Sequence, residues 1–468
     1  MITTLRRLIT FILIVTAPLW ISASLWRLRA PLPLKLSLVD YTVPYDNYAE
    51  HSASIWAFNH LKLIPPPPQT NALSEKDNGI SKLRSSLKLK PLEEDNAPKR
   101  KITWESGTSY TGPEPFKPYI QKRLHHTYPL NTISDSKALP YDLIYIADTY
   151  GVYREDFVAQ IDQGDGKVEE ISSSTDPEML KLLFDQGEIE VHMDYSKLIF
   201  GGLSKEDLEV IERHCDRGGD VFFEFNAFCD PTKPEIRSRA EALVGLKWTG
   251  WSGRFLPNPQ DKQDAPHWLE RQYKSQFPEK ELTSKASLLL AHRDGRVYLI
   301  ESDQEMMDVI PTLHVTSQYR ERFPMANSPY YYFWFAIMTP DPEVKPKVLA
   351  EIELHAPESQ KEIFKLLEIP QRIPLLTEHI VGESHRYHFS IDGSDIREDL
   401  GNYHYAGLAL LNSISPKNRG ISVNQRKVFW QFYLPMLNVL LWERSEDRYQ
   451  DFPPPLWQRI LEIGKDLF

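Results

Sequence analysis

The stretch KLIFGGLSKEDLEVIERHCDRGGDVFFEFNAFCDPTKPE, Lys197–Glu235, decides the reading of the fold. Its first apolar residues stop at Gly201-Gly202, where a turn is expected. Ser204 with Asp207 three residues later is a capping-box pattern, in which each side chain satisfies a backbone N–H at a helix start. Leu208, Ile211 and Cys215 then recur on one helical face, and Gly218-Gly219 stops the helix. DVFFEF follows as a strand apolar on both faces, as a strand covered on both sides would be. Strand, turn, helix, turn and buried strand form the repeating unit of a mostly parallel sheet with helices on both faces. The expected class is α/β.

Upstream, Tyr141–Ala147 (YDLIYIA) is another continuous apolar run ending in the loop DTYGVY, and residues 160–195 are a polar excursion. Leu34–Val43 (LKLSLVDYTV) predicts the first strand. Ile55, Phe58 and Leu61, with Trp56 beside them, predict the helix after it. From Ile64 the chain turns proline-rich and charged, too poor in apolar residues to fold alone, and is expected to be a disordered insertion. Downstream, SLLLAH, RVYLIES, KVLAEIEL and HRYHFSI read as strands, partly antiparallel. The polar and glycine residues of LKWTGWSGRFL predict a turn between Trp248 and Trp251. Val428–Trp442 is too short for a confident membrane span and predicts a buried helix broken by Pro435.

The N-terminus predicts an address. Leu8–Trp26 is uncharged and about as long as a helix needs to be to cross the hydrocarbon core. Arg6 and Arg7 precede it and Arg27 and Arg29 follow, so charge alone leaves the orientation open. A short tail before a long body favours a retained signal anchor with the body outside the cytoplasm. ISAS leaves a cleaved signal peptide as the alternative. The expected organisation is an anchor over 1–30, an α/β domain over 31–300 with the Pro-rich insertion near 64–118, and a C-terminal α+β region over 301–468.

Composition narrows the function classes. A formal net charge of −11 argues against a nucleic-acid surface. Two cysteines supply neither a disulfide framework nor a cysteine zinc site. The absence of HExxH, P-loop and GxGxxG patterns gives no metal or cofactor to expect. His385 and His388, three apart, fall on opposite faces of a strand, and His125-His126 lies beside the insertion.

Ligands of open α/β sheets bind beyond the carboxyl ends of the strands, which selects loops. After the first strand stand Asp40 and Tyr41, with Glu50 and His51 nearby. After the second come Asp148 and Tyr150. The FFEF strand holds Glu224, and its loop holds Asn226, Cys229 and Asp230. Trp251 and Arg254 are expected to rim the same cleft as Asn226, as a stacking ring and a cation for a sugar or anion. The carboxylates Asp40, Glu50, Asp148, Glu224 and Asp230, with Asp392 and Asp395, are the candidates for acid–base hydrolysis. Cys229 has bulky Phe228 and acidic Asp230 as neighbours, where a nucleophile elbow carries glycines.

The phrases DYTVPYDNYAEHSASIWAFNHLK, IYIADTYGVY, IFGGLSKEDLEVIERHCDRGGDVFFEFN and VGLKWTGWSGRF, with the later RYHFSIDGSD, resemble a group of membrane-anchored bacterial envelope proteins. Their core is similar to the class I glutamine amidotransferase-like fold, a flavodoxin-like sheet. The resemblance runs thinly over most of the chain after the anchor. It implies the fold but argues against glutaminase activity, because the glycine-flanked cysteine elbow and the following His–Glu pair are missing. The expectation is a single-pass protein of the bacterial cytoplasmic membrane whose domain binds an envelope glycan or protein. By analogy it would serve polysaccharide assembly or export. The alternative is a carboxylate-dependent hydrolase of envelope glycan.

Overall fold

The computed structural model describes residues 32–41, 52–61, 63, 109–110, 141–153, 427–449 and 198–393, the last without 263, 267, 304–307 and 325, together with single positions among the first 21. Among these residues, eight strands, numbered in chain order, form the main sheet. Across it lie β2 (Ser109–Tyr110), β1 (Leu36–Asp40), β3 (Leu143–Asp148), β6 (Asp220–Glu224), β14 (Ser384–Phe389), β13 (Arg372–Val381), β12 (Lys347–Glu353) and β10 (Thr312–Val315). The first five are mutually parallel and the last three join antiparallel. Counted by their place in the chain, the parallel strands run second, first, third, fourth, fifth. That is the order of a doubly wound, flavodoxin-type sheet.

Alternation along the strands divides the core. Leu143, Tyr145 and Ala147 of β3 and Phe222 of β6 pack with helix α1 (Ser52–His60) and helix α6 (Leu434–Arg448). Ile144, Ile146, Val221 and Phe223 point the other way, onto α2 (Lys205–Asp216) and α3 (Pro234–Val244). A period of two with both faces buried is why these strands read as continuous apolar runs. Helix α2 begins with the expected reciprocal cap: the Asp207 amide donates to Ser204 Oγ at 3.0 Å and the Ser204 amide to Asp207 Oδ2 at 3.1 Å. It ends at Gly218, whose φ of +83° suits glycine.

A second, antiparallel sheet has the order β11 (Phe335–Pro340), β7 (Leu246–Leu256), β8 (Ser287–His292), β9 (Val297–Glu301). It packs on the α1/α6 side of the core and carries α4 (Leu269–Gln276) on its far face, and the short helix α5 (Glu362–Leu366) precedes β13. A two-stranded ribbon joins β4 (Val152–Tyr153) to β5 (Leu198–Phe200).

Four expectations change. Trp248–Trp251 is not a turn but a bulge inside the unbroken β7. Ala336 faces Ser252 while Met338 faces Trp248, so β7 has two extra residues there, accommodated by Gly250 at φ +84°. The helix near the C-terminus is not broken at Pro435. A π-helical turn over Phe429–Tyr433 runs into α6, and its wider ring absorbs a proline that has no N–H to give. Among its described residues, the Pro-rich stretch contributes strand β2 at the sheet edge. The strands after residue 301 extend both sheets, so the boundary expected there falls inside continuous hydrogen bonding.

Among the described residues, no helix is long and apolar enough to cross a membrane. Of Leu8–Trp26, the described positions Thr10, Phe11, Leu13, Thr16, Ala17 and Ile21 are helical, and Phe11, Leu13 and Ile21 are exposed. The remainder of that run lies outside the described residues.

Candidate functional site

Strand order reverses between β1 and β3, and the crevice beyond their carboxyl ends is where such sheets hold ligands. Hydrogen bonds tie the segments of this edge together. The Tyr41 amide donates to the Asp148 carbonyl at 3.1 Å, and the Tyr41 ring is buried. Asp148, also buried, accepts the Tyr150 amide on Oδ1 at 2.7 Å. Thr149 Oγ1 donates to the Ala227 carbonyl at 2.9 Å, which ties the end of β3 to the loop after β6. The Gly202 amide donates to the Thr149 carbonyl at 2.7 Å, and the Leu203 amide to Thr232 Oγ1 at 3.0 Å. Asp148, Tyr150, Asn226, Cys229 and Asp230 thus belong to one carboxyl edge.

The loop after β6 turns at Phe225, whose φ of +47° is left-handed backbone. A bulky residue there costs roughly 1–2 kcal/mol. Two hydrogen bonds hold it: the Phe225 amide donates to the Phe389 carbonyl at 2.6 Å, and His388 Nε2 lies 3.2 Å from the Phe225 carbonyl. Burial pulls the His388 pKa down to about 3, so the ring is neutral. A carbonyl only accepts, so the proton sits on Nε2, and Nδ1 accepts from the Ser390 hydroxyl at 3.3 Å. A strained residue directly after a sheet strand is the position a nucleophile takes in α/β elbows. Here it is a phenylalanine, 9% exposed.

Cys229 lies four residues further on and is buried. Burial, followed by the charge of Asp230, pushes its thiol well above the usual range. Asp230 accepts from Arg237 Nη1 at 2.8 Å, and Arg293 Nη2 stands 3.2 Å from the same oxygen. Both guanidiniums lie over the Trp248 ring, 5.3 and 5.8 Å from its centroid.

Glu224 has another setting. It points to the α6 side and is fully buried. Tyr145 donates its hydroxyl to Oε2 in a short contact, the Tyr433 hydroxyl lies 3.2 Å from the same oxygen, and the Gly393 amide donates to Oε1 at 2.9 Å. Tyr433 ends the π-helical turn, which presents it inward.

Trp251 and Arg254 do not form the expected stacking ring and free cation. The Trp251 ring is 4% exposed, against His292 and Tyr298 with Arg296 over it, and so offers almost no open face. Arg254 covers Phe333 and Trp334 at 5.0 and 5.5 Å. The Trp334 carbonyl accepts the Asp392 amide at 3.4 Å, so Arg254 belongs to the carboxyl end of β14. Glu50, His51, Asp395 and the side chain of Asp40 lie outside the described residues.

Among the described residues, no group of three or more His, Cys, Asp or Glu side chains is placed to hold a metal ion. Sequence reading missed Tyr145, Tyr433, Arg237 and Arg293, and weighed His388 only as a metal ligand. Only for Tyr145 was there a local cue, a phenol inside a run otherwise wholly apolar.

The sheet and its edge define a doubly wound α/β protein with an elbow-like turn after its fourth parallel strand. No protein-family model, characterised protein or solved structure matches the chain.

Proposed function

We propose that this chain is a membrane-anchored bacterial envelope protein whose amidotransferase-like α/β domain binds a glycan or a protein partner, in support of polysaccharide assembly or export. One observation carries the reading. The strained turn after β6 holds Phe225, which has no nucleophilic atom, while the nearby Cys229 thiol is buried and held protonated. The strand order favours the crevice between β1 and β3 as the ligand-binding place, with Tyr150 and Asn226, both only half-buried, at its rim. The exposed apolar helical residues Phe11, Leu13 and Ile21 suit a lipid-facing anchor.

The test uses the full chain in detergent, labelled envelope-polysaccharide fragments and glutamine. Fragments are expected to be retained without new reducing ends and without ammonia release. Retention should survive Cys229→Ala and fall in Tyr150→Ala. Reducing ends that disappear in Asp148→Asn would replace the reading with the hydrolase. Ammonia that disappears in Cys229→Ala would replace it with a glutaminase. If no fragment is retained and cross-linking in cells captures no envelope protein, the binding reading fails.

A further inference from the structure

The antiparallel end of the main sheet carries a cluster unconnected with the carboxyl edge. Thr312 and His314 share the outer face of the edge strand β10. Thr312 stands opposite Glu353 of β12 and His314 opposite Glu351, while His355 follows two residues after β12 ends. Thr312 Oγ1 lies 2.8 Å from His314 Nε2 and 2.9 Å from His355 Nε2. Two imidazole nitrogens from separate segments therefore converge on one point, which a hydroxyl marks. With both rings neutral, that hydroxyl donates to one and accepts from the other.

The surroundings are anionic. Glu353 Oε2 lies 3.5 Å from His314 Nε2, and Arg372 Nη2 approaches Glu353 at 3.4 Å. Glu351 stands across from His314. Two carboxylates, Glu351 and Glu353, outnumber the one guanidinium beside the two imidazoles. Thr312, His314, Glu353 and His355 are all half-buried, so the cluster is open to solvent ions.

We propose that His314 and His355 form a two-point site for a divalent transition metal of the zinc class. The metal takes the place of the Thr312 hydroxyl, and water completes its coordination. Imidazole nitrogen binds zinc at about 2.0–2.1 Å. The rings therefore close inward by less than about 1 Å each, and Thr312 rotates its hydroxyl aside. Glu353 is placed to accept a hydrogen bond from a metal-bound water, the usual support for such a ligand set. Imidazole favours zinc, copper and nickel over magnesium and calcium, which prefer oxygen. With two protein ligands the site is weaker than a closed structural zinc centre.

Calorimetric titration of the full chain in detergent with Zn²⁺, and separately with Mg²⁺, tests this. The expected result is one Zn²⁺ per chain and no Mg²⁺ binding. His314→Ala and His355→Ala should each weaken Zn²⁺ at least tenfold. Thr312→Ala removes the competing hydroxyl and should bind as tightly as wild type or more so. Melting curves in chelator confirm that the variants are folded, and Thr312→Ala reads the site with both imidazoles intact. Zn²⁺ binding that survives both histidine substitutions is an adventitious ion only and overturns the proposal. So does binding lost in His125→Ala/His126→Ala but kept in His314→Ala. No Zn²⁺ binding by wild type and Thr312→Ala alike also overturns it.

Discussion

The phenol oxygens of Tyr145 and Tyr433, 288 residues apart in the chain, stand 2.6 Å from each other over one carboxylate oxygen of Glu224. Burial, reinforced by the Glu224 charge, raises both phenols well above their usual range, so both keep their protons and can donate. Removing one donor leaves a buried carboxylate less well satisfied. Tyr145→Phe and Tyr433→Phe are each expected to lower unfolding free energy by about 1.5–3 kcal/mol. Because they share an acceptor, the double variant should cost less or more than the sum of the singles. Urea titration measures this. Losses below about 0.5 kcal/mol for both would mean that the carboxylate does not depend on the phenols.

The same cluster marks where sequence reading runs out. Helix α2 and strands β3 and β6 are legible because their caps, turns and periods lie within a few residues of one another. The contact of Tyr433 with Glu224 depends on a fold that brings distant segments together. Nothing local announces the π-helical turn that aims the phenol. Strand β7 misled for a related reason. Gly250 after Thr249 looks like a turn, and only the pairing with β11 turns it into a bulge. Trp251 looked available for stacking because exposure is not written in residue type. The carboxyl-edge rule selected Asp148, Tyr150 and Asp230 from local sequence, but the cations beside Asp230, Arg237 and Arg293, came only with the fold.

Glu378 sets an acid limb. Burial alone would raise its pKa, but hydrogen bonds from His385 at 2.9 Å and from Arg322, at 3.1 Å to each oxygen, hold it well below the usual carboxylate range. A carboxyl depressed in the folded state adds stability that is complete above its unfolded pKa of about 4.3. That stability is lost as pH falls from there toward the folded value. Stability measured from pH 7 to 3 should fall below about pH 5. Glu378→Gln should flatten that limb while lowering the plateau. An unchanged slope in the variant would assign the acid sensitivity to other groups.

The two thiols should be silent. Cys215 and Cys229 are both buried, and burial pushes Cys215 up to about 11 and Cys229 well above the usual range. Since the thiolate is the reactive form, maleimide at pH 8 should label the native chain at least about a hundredfold more slowly than the urea-unfolded chain. Fast labelling of Cys229 in the native state would mean that the loop after β6 opens.

Membrane attachment should reside in the N-terminal run alone. Leu437, Leu440 and Leu441 of α6 are spent on the protein's own core and are at most 3% exposed. Deleting residues 1–30 is expected to move the body from the membrane pellet to the supernatant. A truncated body that still sediments with membranes while keeping its melting transition would place a second lipid contact elsewhere in the chain.

The Asp220–Arg444 pair separates distance from burial as the source of stability. Arg444 Nε lies 2.9 Å from Asp220 Oδ2, and Lys274 Nζ lies 3.0 Å from Glu270 Oε1. The contacts are nearly the same length. The first pair is 9% and 1% exposed, the second 42% and 53%. Asp220 begins β6, and it also receives Arg448 at 3.0 Å and the His385 amide at 2.8 Å. This clamp fixes the end of α6 to the amino edge of the parallel strands. Arg444→Ala strips a buried carboxylate of its best-placed cation and should cost about 3–5 kcal/mol, lessened to the extent that Arg448 moves in. Lys274→Ala should leave the urea midpoint where it is, because water and salt screen an exposed pair and its side chains lose entropy in making it. The comparison is made at low and at high salt. Any small loss that Lys274→Ala shows at low salt should vanish at high salt, whereas the Arg444→Ala loss should persist, because screening does not reach Asp220. Equal losses for the two substitutions would mean that contact length, not burial, governs these pairs. The assignment of α6 as the latch across the sheet would then fail.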